Sequence, residues 1–176
     1  MAEDRVIVVE KFKEIVQRTD NVLFATLNKH LNYEHGSSTQ IIAELLTLNN
    51  AINPATRAGK YPLIALFQPF REIKGGGYSL RVRIPKIVIA TSTNSTDNTE
   101  TRYSQTFIPI LYPIYEELLR QICRHRNVVE QDPEDLKHTK ADNPGSPPPQ
   151  GVQFTDFLDA IEIYDLELTF QLDTNC

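Results

Sequence analysis

Residues 159–172 read DAIEIYDLELTFQL and carry the clearest periodicity in the chain. Ile161 and Ile163 share one parity. Tyr164, Leu166, Leu168, Phe170 and Leu172 share the other, with Glu162, Asp165, Glu167, Thr169 and Gln171 between them. Successive side chains of a strand point to opposite faces, so this alternation predicts a half-buried antiparallel strand. The parity slips once, between Ile163 and Tyr164. A slip of one residue turns the apolar set outward unless a bulge absorbs it. A similar slip occurs in LRVRIPKIVIAT: Leu80, Val82 and Ile84 share a parity, and Ile87 and Ile89 take the opposite one after Pro85. Proline cannot donate to a ladder, so Pro85 belongs at a bulge or an edge. Two matched irregularities predict a strongly twisted or curved sheet.

Other segments follow the helical period. Val8, Val9, Phe12, Ile15 and Val16 predict an amphipathic helix over 5–18, with Asp4 as a cap. Residues 22–27, VLFATL, fit either a short strand or a continuation of that helix. NKHLNYEHGSS is a polar break, after which Ser37 or Ser38 can cap a helix over 39–49. INPATRAGK reads as a loop. YPLIALF (61–67) is apolar at both parities, as in a strand covered on both faces. The three glycines of KGGG mark a turn, so 61–91 reads as a β-hairpin. FIPILYPIYEELLRQIC is the strongest helix. Phe107, Ile110, Leu111, Ile114, Leu118 and Ile122 form its stripe, Pro109 fits its first turn, and Pro113 bends it or marks its true start. Residues 92–105 and 127–153 contain little that is apolar and read as long polar loops or arms. The fold class implied is α+β: a twisted, bulged antiparallel sheet packed on one side by an N-terminal helix and one long helix, all within a single domain over 1–176.

With 176 residues and 40% of them hydrophobic, the chain can bury one sizeable core. Eighteen basic and 23 acidic side chains leave a net charge of −5, which argues against broad phosphate binding but permits a local basic patch. The two cysteines, Cys123 and Cys176, form no disulfide framework. The acidic N-terminus lacks the apolar run of a signal peptide, and no segment approaches a membrane span.

Candidate chemistry is sparse. His30, Glu34 and His35 lie in the polar break at a spacing that a helix would not align. Cys123 and His125 are two apart on a helix and do not face each other. KGGG lacks the Gly-Lys-Ser/Thr of a phosphate loop. Glu116/Glu117 and Glu134/Asp135 read as solvated charge. The reading is therefore of a non-enzymatic protein with no catalytic residue, no cofactor and no metal. What remains is a charge map: Arg81 and Arg83 or Arg120 and Arg124 on one side, and Glu162, Asp165 and Glu167 on another, as a candidate subunit interface. Arg126 extends the basic end of the 107–126 helix, which would serve a nucleic-acid-binding module as an alternative.

The segments KYPLIALFQPF (60–70), YSQTFIPILYPIYEELLRQI (103–122) and DAIEIYDLELTF (159–170), with HGSSTQIIAELLTLN (35–49), resemble small structural proteins of tailed phages and prophages of Bacteroidetes-type bacteria. The order of elements also resembles tail-terminator and tail-completion proteins. That resemblance implies a virion protein forming a homo-oligomeric, commonly hexameric, ring. Its partners would be the tail tube and the neck or connector proteins, with DNA passing through the lumen without specific binding and no membrane involved. Another tail or baseplate adaptor is the neighbouring alternative.

Overall fold

A computed structural model of the chain describes residues 8–49, 59–74, 78–146 and 156–171. It is an α+β fold with a mixed, mostly antiparallel sheet. The strands are β1 (Asn32–Gly36), β2 (Leu63–Phe67), β3 (Arg71–Lys74), β4 (Ser79–Ser92), β5 (Thr139–Ser146) and β6 (Leu158–Gln171), in the order β1-β2-β4-β6-β5, with β3 beside β4. Among the described strands only the β1–β2 pair is parallel.

The two long strands form the centre, and their irregularities face each other. β4 and β6 pair from Ser79↔Gln171 to Ser92↔Leu158 in one unbroken register, with Pro85 set against Asp165 between Ile84↔Leu166 and Lys86↔Tyr164. Each strand spends one extra residue at the same level. Leu80, Val82 and Ile84 therefore enter the same core as Ile87 and Ile89, and Leu166, Leu168 and Phe170 join Ile161 and Ile163. Pro85 has no N–H to leave unpaired. Asp165 takes a left-handed conformation, φ 54°, which Asp tolerates better than a branched residue.

α1 (Val8–Leu27) buries Val8, Phe12, Ile15, Val16, Thr19 and Leu23, so 22–27 continues the helix. α2 (Ser38–Asn49) opens with a reciprocal cap. The Ser37 hydroxyl accepts from the Gln40 N–H at 3.3 Å, and Gln40 Oε1 accepts from the Ser37 N–H at 2.9 Å. Gly36, at φ 143°, makes room for this cap, since a Cβ there would lie 2.8 Å from Gln40 Oε1. α2 corrects the expectation of helices on one side only. Ile41 and Leu45 pack with Tyr61, Leu63 and Ala65, whereas Ile64 and Leu66 face α1 on the other side. The doubly apolar β2 is covered on both faces, as its sequence requires.

The long helix begins earlier than its apolar stripe indicates. α3 (Thr99–Arg102) runs into a π-helical stretch (Tyr103–Leu111) and then α4 (Tyr112–Cys123). Pro109 lies within the wide turns, where the Tyr112 N–H reaches back to the Phe107 carbonyl, and Pro113 sits at the start of α4. Three loop assignments are thereby corrected. Residues 99–105 of the 92–105 loop are helical, capped by the Asn98 side chain on the Thr101 N–H. Residues 139–146 of the 127–153 loop form β5, which pairs with β6. Residues 32–36 of the polar break form β1. In each case pairing or packing partners distant in sequence supply what local apolar content lacks. Most of INPATRAGK and the glycines of KGGG lie outside the described residues.

The paired kink carries a prediction. Asp165→Val should cost about 1–2 kcal/mol in urea unfolding, because a β-branched residue resists the left-handed region, whereas Asp165→Gly should be nearly neutral.

Candidate interaction surface

The sheet has one face against α1, the π-helical stretch and α4. Among the described residues its other face is covered by α2 over β1 and β2, reaching Val88 of β4 and Leu158 of β6. Beyond α2, four strand-like segments lie side by side: β3, β4, β6 and residues 128–130, where Val128 bridges Phe170 and the Val129 N–H donates to the Thr169 carbonyl at 2.9 Å. Val128 enters the core, so Val129 points to the open face. Ile73 pairs with Arg81 and Arg81 with Thr169, giving one row Ile73–Arg81–Thr169–Val129. One step along the strands lies Arg71–Arg83–Glu167, extended by Lys137, whose carbonyl accepts from the Glu167 N–H at 3.1 Å. Ile73 is 60% exposed and Val129 51%.

Between these rows, beside β6, lies a depression of about 150 Å³ lined by Arg81, Glu130, Asp135, Lys137, Glu167 and Thr169. Glu130 is held at its wall by the Thr169 N–H at 3.0 Å. Arg83 Nε donates to Asp165 Oδ1 at 3.1 Å, an exposed pair that contributes little to stability. Further along, Lys86 Nζ donates to Glu162 at 2.7 Å, and the Tyr164 hydroxyl donates to its other oxygen. Burial alone would raise the Glu162 pKa; these hydrogen bonds outweigh it and hold the carboxyl below its ordinary value.

The expected charge map changes accordingly. Arg81 and Arg83 do not oppose Asp165 and Glu167 from a different side of the molecule, because β4 and β6 are neighbours and all four belong to one open region. Glu162 is engaged by Lys86. Arg120 pairs with Glu117 on its own helix, and Arg124 caps α4 away from this face. Glu117 itself is buried and also accepts from Gln121.

Among the described residues the most buried ion pair lies elsewhere and has little sequence signal. Arg102 and Asp159 meet at 3.1 Å with both side chains inside. Arg102 also donates to the Asn94 and Asp97 carbonyls, and Asp159 accepts from the Thr106 hydroxyl and the Gly145 N–H. Gly145, at φ 66°, lets the guanidinium approach, since a Cβ would lie 3.2 Å from it. This network ties β4's exit loop, the long helix, β5 and β6 together. Arg102 and Thr106 lie inward because the π-helical turns rotate the phase of the stripe that Phe107 and Leu111 define, which an α-helical reading cannot follow.

The remaining candidates are engaged in structure. His125 is buried at the α1–α4 contact, with Nε2 3.1 Å from Glu14 and Nδ1 accepting from the Asn127 N–H at 3.3 Å. Burial lowers its pKa despite Glu14, and the bond to His125 lowers that of Glu14. A neutral imidazole donating to a carboxylate satisfies both. Burial, aided by the carboxylates of Asp132, Glu130 and Asp135, pushes the Cys123 thiol up to about 11, opposite to what a nucleophile needs. His30 bonds Asp20 at 2.8 Å, and His138 meets the Tyr115 hydroxyl at 2.7 Å. His35 and Glu34 lie in β1. Among the described residues no three His, Cys, Asp or Glu side chains converge on a metal position, and no helix is long and apolar enough to cross a membrane.

Two predictions follow from the buried groups. Arg102→Ala should cost about 3–5 kcal/mol in chemical denaturation, since it strands the Asp159 carboxylate, and Arg102→Met with Asp159→Leu should recover part of that loss. The lowered His125 pKa means the unfolded chain takes up a proton first. Stability should therefore fall as pH drops below 6.5, and fall again below 4.5 as Glu14 protonates. His125→Gln should remove the first of these slopes in thermal melts followed by circular dichroism. No protein-family model and no curated protein matches this chain.

Proposed function

We propose that this chain is a non-enzymatic structural subunit of a tailed-phage particle, a ring-forming tail-terminator or neck component. The observation that carries the reading is the arrangement of the sheet. It ends in two unlike edges, β1 with β3 on one side and β5 on the other, so copies joined edge to edge meet through different surfaces. Contacts of that head-to-tail kind close into rings when the rotation between copies divides a full turn. The order of an N-terminal helix, a sheet and a long helix agrees with the resemblance of residues 60–70, 103–122 and 159–170 to such proteins. A net charge of −5 suits a lumen through which DNA must pass without being held. The engaged state of His125, Cys123 and Glu117 also favours a structural role.

The test is negative-stain imaging of the purified chain, alone and mixed with its tail-tube protein. The expected result is closed rings with a central opening, seated at tube ends. A chain that stays monomeric in both samples and is missing from purified particles would reject the reading.

A further inference from the structure

The open sheet face beyond α2 has an internal symmetry. Across the four segments, the row Ile73–Arg81–Thr169–Val129 has an exposed aliphatic side chain at each end. The neighbouring row has arginines on the β3–β4 half, at Arg71 and Arg83. On the β6 half lies Glu167, with Glu130 and Asp135 in the wall of the adjoining depression. Arg71 is exposed and forms no ion pair among the described residues. Basic and acidic halves thus lie side by side on one surface, between two apolar ends.

From this arrangement we infer that the face is a two-fold docking surface for a second copy of the same chain. The axis runs parallel to the strands, midway between β4 and β6. Such a rotation reverses position across the sheet and keeps position along the strands. Each row is then laid over its own reverse. Ile73 meets the partner's Val129, and Arg83 meets the partner's Glu167. Arg71 comes over the partner's Lys137 at the rim of the depression, where the carboxylates of Glu130, Asp135 and Glu167 outnumber the cations of Arg81 and Lys137. Every contact is made twice, as an isologous interface requires. Facing sheets pack about 10 Å apart with strands within about 30°, a gap that these side chains can span. The apolar ends exclude water at the margins and the charges set register and partner choice. The contact goes beyond the ring reading and does not depend on it. Edge-to-edge ring contacts leave this face uncovered, so it would join two rings, or two free subunits, back to back.

The test is a charge swap read by sedimentation velocity. Arg71 and Asp135 are both exposed, so neither change threatens the fold. Arg71→Glu alone and Asp135→Lys alone should each raise the dimer dissociation constant roughly tenfold or more. Mixing the two variants should restore association, because in the mixed pair one contact is reversed in both partners and the other is native. A second measurement uses Ile73→Cys with Val129→Cys in a Cys176→Ser background. These positions lie three strand spacings apart within one chain, about 14 Å, too far for an internal disulfide. A bismaleimide with a spacer of about 8 Å should instead give a covalent dimer on a denaturing gel, because facing sheets set the paired Cα atoms about 10 Å apart, beyond the reach of a disulfide. The inference is overturned if the native chain is monomeric up to about 100 μM. It is also overturned if the single variants associate like the native chain, if mixing restores nothing, or if the double cysteine variant stays monomeric after bismaleimide treatment.

Discussion

Everything in this fold depends on Pro85 and Asp165 being opposite each other. A lone extra residue in either long strand would send one half of that strand's apolar side chains to the wrong face. Because both strands carry the extra residue at the same level, the ladder keeps its register and both halves face one core. The choice of residues suits the job. Proline leaves no donor unpaired, and aspartate accepts the left-handed backbone while reaching Arg83. The cost is local, and the gain is a long two-stranded spine that shares one core with α1, the π-helical stretch and α4.

The spine needs to be joined to the elements around it, and this is done largely by buried polar groups. Arg102 and Asp159 gather the exit of β4, the start of the long helix, β5 and β6. Asp142 of β5 accepts hydrogen bonds from Tyr112 and Tyr103 on the helix, and Lys140 lies over the rings of Tyr112 and Tyr115. The bond to Asp142, with burial, pushes the Tyr112 phenol up to about 12, so it remains a donor at any ordinary pH. A polar edge strand is thus fixed to an aromatic helix face without needing apolar residues of its own. The same economy holds at the α1–α4 contact, where His125 and Glu14 meet.

What remains outward is a sheet face whose charges are partly paired within the chain and partly unspent. Weak exposed pairs such as Arg83–Asp165 do little for stability, and they can exchange partners at small cost when a second surface arrives. This property, together with unlike sheet edges, is what the proposed assembly rests on.

The sequence by itself determined the two long strands and their slips, the doubly covered β2, a cap at Ser37 or Ser38 and the helical stripe from Phe107 to Ile122, each a pattern written in neighbouring residues. It left 22–27 open between helix and strand, since six apolar residues fit either. Only the tertiary structure decided that the slips coincide, that α2 covers the second face, and that 32–36 and 139–146 are strands. It alone placed Arg81 and Arg83 beside Asp165 and Glu167. Strand pairing and ion pairing join residues up to 96 positions apart, and no local pattern records which partner a polar segment will meet.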